Sequence, residues 1–166
     1  MSVQRILPIE HPSLQRVCSR VNRVSPSIRK LMLDLEDTMA SANGVGLAAP
    51  QIGKPLRVIT VLNGDDVLTL ANPEIVKGSG ESVEEEGCLS LPLYYGPVAR
   101  VAKITVRGLD PRGNKVRRKA EGLLARALQH EIDHLNGVIF KDKLARGGKL
   151  RFVGQRTVEA DEQGTG

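Results

Sequence analysis

The sequence predicts an α+β domain in which mostly antiparallel strands surround one central helix, with a second helix near the N-terminus. Three observations lead to this prediction. Two stretches carry apolar residues at helical spacing. Several short β-branched runs are separated by turn sequences, which is typical of hairpins. The second helical stretch is apolar on more than one face, so we expect strands to pack on both of its flanks.

The first helix is predicted over residues 25–42. Its apolar residues recur along one face: Ile28, Leu31, Leu35 and Met39. Ser25 or Ser27 can cap its start, and Asn43-Gly44 ends it. The following GVGLAAPQIG is rich in glycine and small residues, so a loop is expected there.

Short β-branched runs predict the strands. Residues 56–62 and 67–71 are joined by Asn-Gly-Asp-Asp and form a predicted hairpin. The sequence DPRGN at 110–114 predicts a turn. Further strands are predicted over these ranges: 74–77, 82–90, 98–107 and 115–121.

The second helix is predicted over residues 122–135. One face carries an aliphatic stripe: Leu124, Leu128, Ile132 and Leu135. His130 and His134 share a different face with Leu123 and Ala127, which makes this the central helix.

Composition indicates one ordinary globular domain. The 166 residues are 40% apolar and 26% charged, with two Phe, two Tyr and no Trp, so the core must be aliphatic. We assign residues 1–145 to a single folded domain and the polar, glycine-rich residues 146–166 to a flexible tail.

The charge pattern and the N-terminal sequence bear on the localisation and the partners of the protein. The net charge is +5, but acids and bases are interspersed, so sequence-specific nucleic-acid binding is not expected. No signal peptide or membrane span is recognisable. We expect a cytoplasmic monomer.

The motif His-Glu-x-x-His lies on the central helix at residues 130–134. Residues four apart share a helix face, so His130 and His134 can direct one nitrogen each at a single metal ion. Glu131 is turned by about 100° from His130, which suits a base acting on water rather than a ligand. Two histidines still leave the metal's coordination shell open.

Two protease solutions for a third ligand fit poorly. The H-x-x-G-x-x-H continuation has Gly137, but Phe140 stands where the third histidine would be. A downstream glutamate on a second helix is the other solution, and only Glu159 and Glu162 in the tail remain.

Cys88, in the stretch EEEGCLSLP, is the better third ligand. It begins an apolar segment, so it can lie on a strand that crosses the central helix, and a thiolate is a strong soft ligand. Two imidazoles and one thiolate leave a fourth position for water, as catalytic sites require. A disulfide with Cys18 would remove this ligand, although two lone cysteines are more often unpaired.

Three motifs in order resemble the peptide deformylase family: GVGLAAPQ at 44–51, EGCLS at 86–90 and QHEIDH at 129–134. The resemblance runs from about residue 5 to about residue 144. It implies a hydrolase that removes the N-formyl group from the initiator methionine of new polypeptides and releases formate. It also implies Fe²⁺ as the working metal, with Zn²⁺, Ni²⁺ or Co²⁺ as substitutes.

The same resemblance assigns roles to residues. Cys88, His130 and His134 hold the metal, and Glu131 moves the proton. The side-chain amide of Gln51 and the backbone N–H of Leu89 stabilise the charge on the formyl oxygen.

The N-formyl-methionyl peptide is expected to lie along bare backbone as an added strand. The candidate substrate-binding residues are Gly44, Val45, Gly46, Glu86, Gly87, Leu123, Arg126 and Ala127. Glu86 and Arg126 would lend only their aliphatic stems, and the Glu84–Glu86 run is expected to be a charged strand edge.

Three further features concern other regions. Asp133 is expected to accept a hydrogen bond from Arg100, fixing the helix against a strand. Where some family members carry a peptide-binding arginine, this chain has Tyr94-Tyr95-Gly96. The tail carries four cations: Arg146, Lys149, Arg151 and Arg156. A solvated tail is the favoured interpretation, and the alternative is that these cations contact ribosomal RNA phosphates near the exit tunnel.

Two alternatives of another class stay open at this point. One is a zinc endopeptidase built on the same helix. The other is a metal-stabilised binding module without catalysis, in which Glu131 would be dispensable.

Overall fold

A computed structural model describes residues 2–154 of the chain. One antiparallel sheet has the strand order β1-β2-β3-β4-β5, and a short β6 pairs with β4. The strands are β1 (Gly46–Ala48), β2 (Val58–Asn63), β3 (Asp66–Cys88), β4 (Leu91–Leu109), β5 (Lys115–Glu121) and β6 (Arg151–Phe152). The helices are α1 (Pro26–Ser41) and α2 (Gly122–Leu135), with 3₁₀ turns at Pro12–Gln15, Ala49–Ile52 and Phe140–Lys143. The predicted α+β class is confirmed.

Helix α2 lies at the centre and has the predicted bounds. Its aliphatic flank packs against the inner faces of the strands, where Ile59, Leu70 and Val106 are fully buried. Leu128 is also fully buried in this cluster. Ten of the helix's fourteen residues are buried, which explains why both of its flanks carry apolar or functional residues rather than a solvated face.

Helix α1 begins as the sequence predicted, with the Ser25 hydroxyl accepting a hydrogen bond of 3.3 Å from the Ile28 amide. It ends where Asn43 adopts a left-handed φ of 53°. The glycine-rich stretch that follows was expected to be a loop. Part of it instead forms β1 and a 3₁₀ turn, because Gly46–Ala48 pair with β2 and are fully covered.

The β3–β4 hairpin is longer than the sequence indicated. Runs predicted as separate strands at 74–77 and 82–90 are continuous within β3, and β4 begins at Leu91 rather than residue 98. The intervening Gly78-Ser79 has weak strand propensity but pairs with Ile104 and Lys103 of β4. Cross-strand hydrogen bonding therefore outweighs local propensity here.

The tip of this hairpin places Cys88 opposite Leu91, with Leu89-Ser90 as the turn between them. A β-bulge between Glu86 and Cys88 shifts the register just before the tip. Bulges re-aim side chains, and this one lies next to the candidate metal ligand.

Part of the predicted flexible tail is paired with the sheet. Tyr94 pairs with Phe152 and Tyr95 with Arg151, so the ordered chain extends past the proposed division at residue 145. Residues 155–166 of that tail lie outside the described residues. Among residues 2–154 no helix combines the length and apolarity needed to cross a membrane.

We expect Leu128→Ala to lower the free energy of unfolding by about 2–5 kcal/mol, because it opens a cavity in the fully buried cluster. Leu123→Ala on the same helix is the matched control. Leu123 is 61% exposed, so its truncation should change the value by no more than about 0.5 kcal/mol. Urea denaturation followed by circular dichroism measures both, and equal effects would contradict the position of α2.

Candidate metal centre

Three potential ligands converge between α2 and the tip of the β3–β4 hairpin. One ligand atom each from Cys88, His130 and His134 lies within 4.8 Å of the others. The Cys88 sulfur is 3.4 Å from Nε2 of His134. Cys88 is not in a disulfide, since it and the buried Cys18 are both free. The alternative in which Cys18 blocks this sulfur is therefore wrong.

The chemistry of these donors fits a divalent cation. Burial, the positive charge of His130 and that of Arg100 together lower the pKa of His134 well below its usual value, which keeps it a neutral donor. Burial also lowers the pKa of His130. The nearby Glu131, Cys88 and Glu86 raise this pKa by more, to well above its usual value. The surroundings thus favour a positive charge at this point, which a metal cation would supply.

A buried carboxylate behind His130 fixes the orientation of its ring. Glu86 Oε1 lies 2.8 Å from Nδ1 of His130. Glu86 also accepts two hydrogen bonds from Arg100, of 2.7 and 2.8 Å, and one of 2.6 Å from Arg126. Burial would raise the pKa of Glu86, but its hydrogen bonds with Arg100 and His130 lower it to about 2. A carboxylate there holds the proton on Nδ1 and leaves Nε2 free to bind the cation.

The expected contact between Arg100 and Asp133 is present. Arg100 donates from Nη1 to Oδ2 of Asp133, and Lys143 donates to the same carboxylate. Arg100 on β4 therefore bridges Glu86 on β3 and Asp133 on α2. This arrangement locks the helix onto the hairpin.

Glu131 lies in the site with no hydrogen-bond partner for its buried Oε1. Burial is the main cause that raises its pKa, to about 7. A carboxyl group near neutrality can both accept and release a proton at physiological pH.

Gly46 explains how Glu131 fits there. A Cβ atom at Gly46 would lie 2.5 Å from Oε2 of Glu131, which no real side chain tolerates. The bare backbone of β1 thus makes room for the carboxylate.

Gln51, on the 3₁₀ turn after β1, is almost completely buried. Its Oε1 accepts a hydrogen bond of 2.9 Å from the Ala48 amide. Its Nε2 lies 3.0 Å from the Ser90 hydroxyl oxygen and 3.6 Å from the Cys88 sulfur. The side-chain amide therefore lies directly beside the three potential ligands.

A cavity of about 400 Å³ opens onto this cluster. All the predicted site residues line it except His134, which is fully buried behind it. They are Gly44, Val45, Gly46, Gln51, Glu86, Gly87, Cys88, Leu89, Leu123, Arg126, Ala127, His130 and Glu131. An additional wall, missed from the sequence, comes from Leu91, Pro92, Leu93, Tyr94 and Tyr95.

Comparison with known proteins agrees with this geometry. The family model for polypeptide deformylase matches residues 3–149.

The chain belongs to the polypeptide deformylase family.

Relatives and solved structures cover most of the chain. The peptide deformylase of Carboxydothermus hydrogenoformans is 48% identical over 86% of this chain and 94% of its own length. The crystal structure of the Thermotoga maritima peptide deformylase has a TM-score of 0.84 at 35% identity, covering 87% of this chain and 99% of that one. A complex of the Ehrlichia chaffeensis enzyme with actinonin has a TM-score of 0.85 at 38% identity, covering 89% and 91%.

The resemblance predicted from three short motifs is therefore confirmed. The chain is a metal-dependent hydrolase that removes the N-formyl group from the methionine of new polypeptides and releases formate. The endopeptidase alternative also lacks its third histidine. Phe140, at that position, is buried and stacks on His130 with ring centroids 5.9 Å apart.

Two residues of this deformylase-family site have surroundings that the sequence analysis did not anticipate. Glu86 and Arg126 were expected to offer their stems at the mouth of the cavity, with Glu86 in a charged strand edge. They do line the cavity, but the Arg126 guanidinium bonds to Glu86 and to the carbonyls of Val98 and Ser82. Glu84 and Glu85 are exposed whereas Glu86 is buried, so these three identical residues differ only in their position along β3.

We expect Glu86→Gln to weaken metal binding about 10–100-fold, because the neutral amide no longer fixes the His130 ring. Glu85→Gln is the matched control, since the adjacent Glu85 is exposed and contacts only Arg151 among the described residues. Competition with a chelator measures the affinities, and circular dichroism verifies that each variant is folded. Equal affinities in the two variants would contradict the role of Glu86.

Proposed function

We propose that Cys88, His130 and His134 hold one divalent cation in this chain and that Glu131 moves the proton during hydrolysis of the formyl amide. The observation that carries the proposal is the convergence of three donor atoms beside a buried carboxylate with an unpaired oxygen, all next to one cavity. The family resemblance supports Fe²⁺ as the working ion in this proposal, and a sulfur and two imidazoles also suit Zn²⁺, Ni²⁺ or Co²⁺ as substitutes.

When bound, the cation supplies a Lewis acid that polarises the formyl group and makes a water molecule easier to deprotonate. Glu131 accepts a proton from the water that attacks the formyl carbon. It then gives that proton to the departing nitrogen as the C–N bond breaks. The products are formate and a free amine, and Glu131 returns to its starting state.

Gln51 and Leu89 act on the formyl oxygen. Negative charge builds on this oxygen during attack, and the Gln51 amide and the Leu89 backbone N–H are the proposed donors. The position of Gln51 Nε2, 3.6 Å from the Cys88 sulfur, supports this role because the scissile group must lie close to the ligands.

The peptide is proposed to bind along Gly44–Gly46 as an added strand, facing Gly87 on the other side of the cavity. Its methionine side chain would contact Val45, Leu123 and Ala127. Val45 and Leu123 are 44% and 61% exposed and line the same cavity, so together they offer an apolar surface that a methionine side chain can cover.

We also propose that the chain acts as a cytoplasmic monomer and meets its substrates near the ribosomal exit tunnel. The segment after residue 145 carries cations that would contact RNA phosphates. Arg151, one of them, contacts Glu85 at 3.2 Å on the surface, and Arg156 lies outside the described residues.

Glu131→Gln should retain the metal and lose activity by roughly 10²–10⁴-fold, because the amide cannot carry the proton. Formate release from formyl-Met-Ala-Ser measures the activity, assayed anaerobically with metal content determined on the same sample. Glu121→Gln, an exposed change just before the same helix, should leave both unchanged. Full formate release in Glu131→Gln would show that a group other than Glu131 moves the proton.

Replacing Arg146, Lys149 and Arg156 together with glutamine should weaken co-sedimentation with ribosomes at low salt. This triple variant keeps β6 and removes phosphate contacts. Replacing the exposed Arg5, Arg29 and Lys54 is a control with the same change in net charge. If both triple variants sediment like the parent, the proposed contact through this segment is wrong.

A further inference from the structure

We propose that Ser90 is a positioning residue that holds the Gln51 amide with one hydrogen directed towards the formyl oxygen. This inference rests on the proposed function, in which Gln51 stabilises that oxygen. Ser90 follows Cys88 and Leu89 in the hairpin turn, and it is 4% exposed. Its hydroxyl is thus a buried polar group facing another buried polar group.

The Ala48 amide fixes which way the Gln51 side chain points. Ala48 N–H donates to Oε1 of Gln51 at 2.9 Å. If the amide were turned over, its NH₂ group would face this N–H donor and a buried hydrogen bond would be lost. The NH₂ group must therefore point towards the hairpin turn.

Ser90 then determines what the two amide hydrogens do. One is donated to the Ser90 hydroxyl at 3.0 Å, and the other is directed towards the Cys88 sulfur at 3.6 Å. The bond to Ser90 holds the amide plane, so that the second hydrogen stays on the side of the sulfur and the cavity. Such a donor needs no reorganisation when charge develops on the substrate.

The backbones of both residues are held by a separate segment. The Leu7 amide donates to the Gln51 carbonyl at 2.8 Å, and the Ile9 amide donates to the Ser90 carbonyl at 3.1 Å. The Ser13 hydroxyl adds a bond of 2.8 Å to the Pro50 carbonyl. Removing the Ser90 hydroxyl should therefore free the Gln51 amide without moving either chain segment.

A double-mutant cycle on the iron-loaded enzyme tests the proposal. Ser90→Ala should lower kcat about tenfold, the effect of one buried hydrogen bond, while KM and metal content stay near the parent values. In a Gln51→Ala background the same change should alter kcat by less than about twofold, because the amide it positions is gone. Ser79→Ala, on the exposed part of β3, is the control and should have no effect.

Two outcomes would overturn the inference: an unchanged kcat in Ser90→Ala, or the same loss with and without Gln51. The second would mean that the hydroxyl acts on the fold and not through the amide. If Gln51→Ala alone kept the parent kcat, the proposed role of Gln51 would fail instead.

Nuclear magnetic resonance of the zinc-loaded protein gives a readout that does not depend on turnover. The Gln51 side-chain amide signals, assigned by their loss in Gln51→Ala, should show slow solvent exchange in the parent. Ser90→Ala should shift one of the two and speed its exchange. Unchanged signals would show that Ser90 does not hold the amide and would overturn the inference whatever the kinetics give.

Discussion

The buried carboxylate of Glu86 is the contact on which the rest of the site depends. It joins α2, through Arg126 and His130, to β4, through Arg100. Asp133, which is half-buried and also bound by Lys143, supplies a second carboxylate to Arg100, so the two buried guanidinium groups each have a carboxylate partner. A balanced set of this kind avoids the cost of an unpaired buried charge, which reaches several kcal/mol. The same carboxylate also fixes the tautomer of His130, a candidate metal ligand. The contacts that hold these elements together therefore also determine the geometry of the site.

The site also requires that α2 and the tip of the β3–β4 hairpin pack closely against the glycine-rich stretch. Helix α2 can place Glu131 against β1 only because Gly46 has no side chain there. The hairpin tip has a comparable fit, since a Cβ atom at Gly44 would lie 2.6 Å from the Leu89 side chain. The glycines in the first motif therefore serve close packing within the protein.

Features with strong local patterns could be predicted from the sequence. The bounds of α2, the Ser25 cap of α1 and the Asn63–Asp66 hairpin follow from apolar spacing and turn chemistry. The continuity of β3 could not, because Gly78-Ser79 lacks strand propensity and is held only by β4. The position of Glu86 could not either, since three successive glutamates differ only in register. Alternation with Cys88, two residues on, gives no signal either, because a β-bulge lies between the two residues. β6 was missed because it is only two residues long within a glycine-rich stretch, and its pairing with Tyr94-Tyr95 is a tertiary contact.

The distribution of aromatic residues has a practical consequence. The chain contains two tyrosines and no tryptophan, and both tyrosines lie on the wall of the cavity beside the candidate metal centre. Intrinsic ultraviolet fluorescence excited near 280 nm therefore originates entirely from that wall. Ligand occupancy can be followed optically on the unlabelled protein, with no background emission from the core.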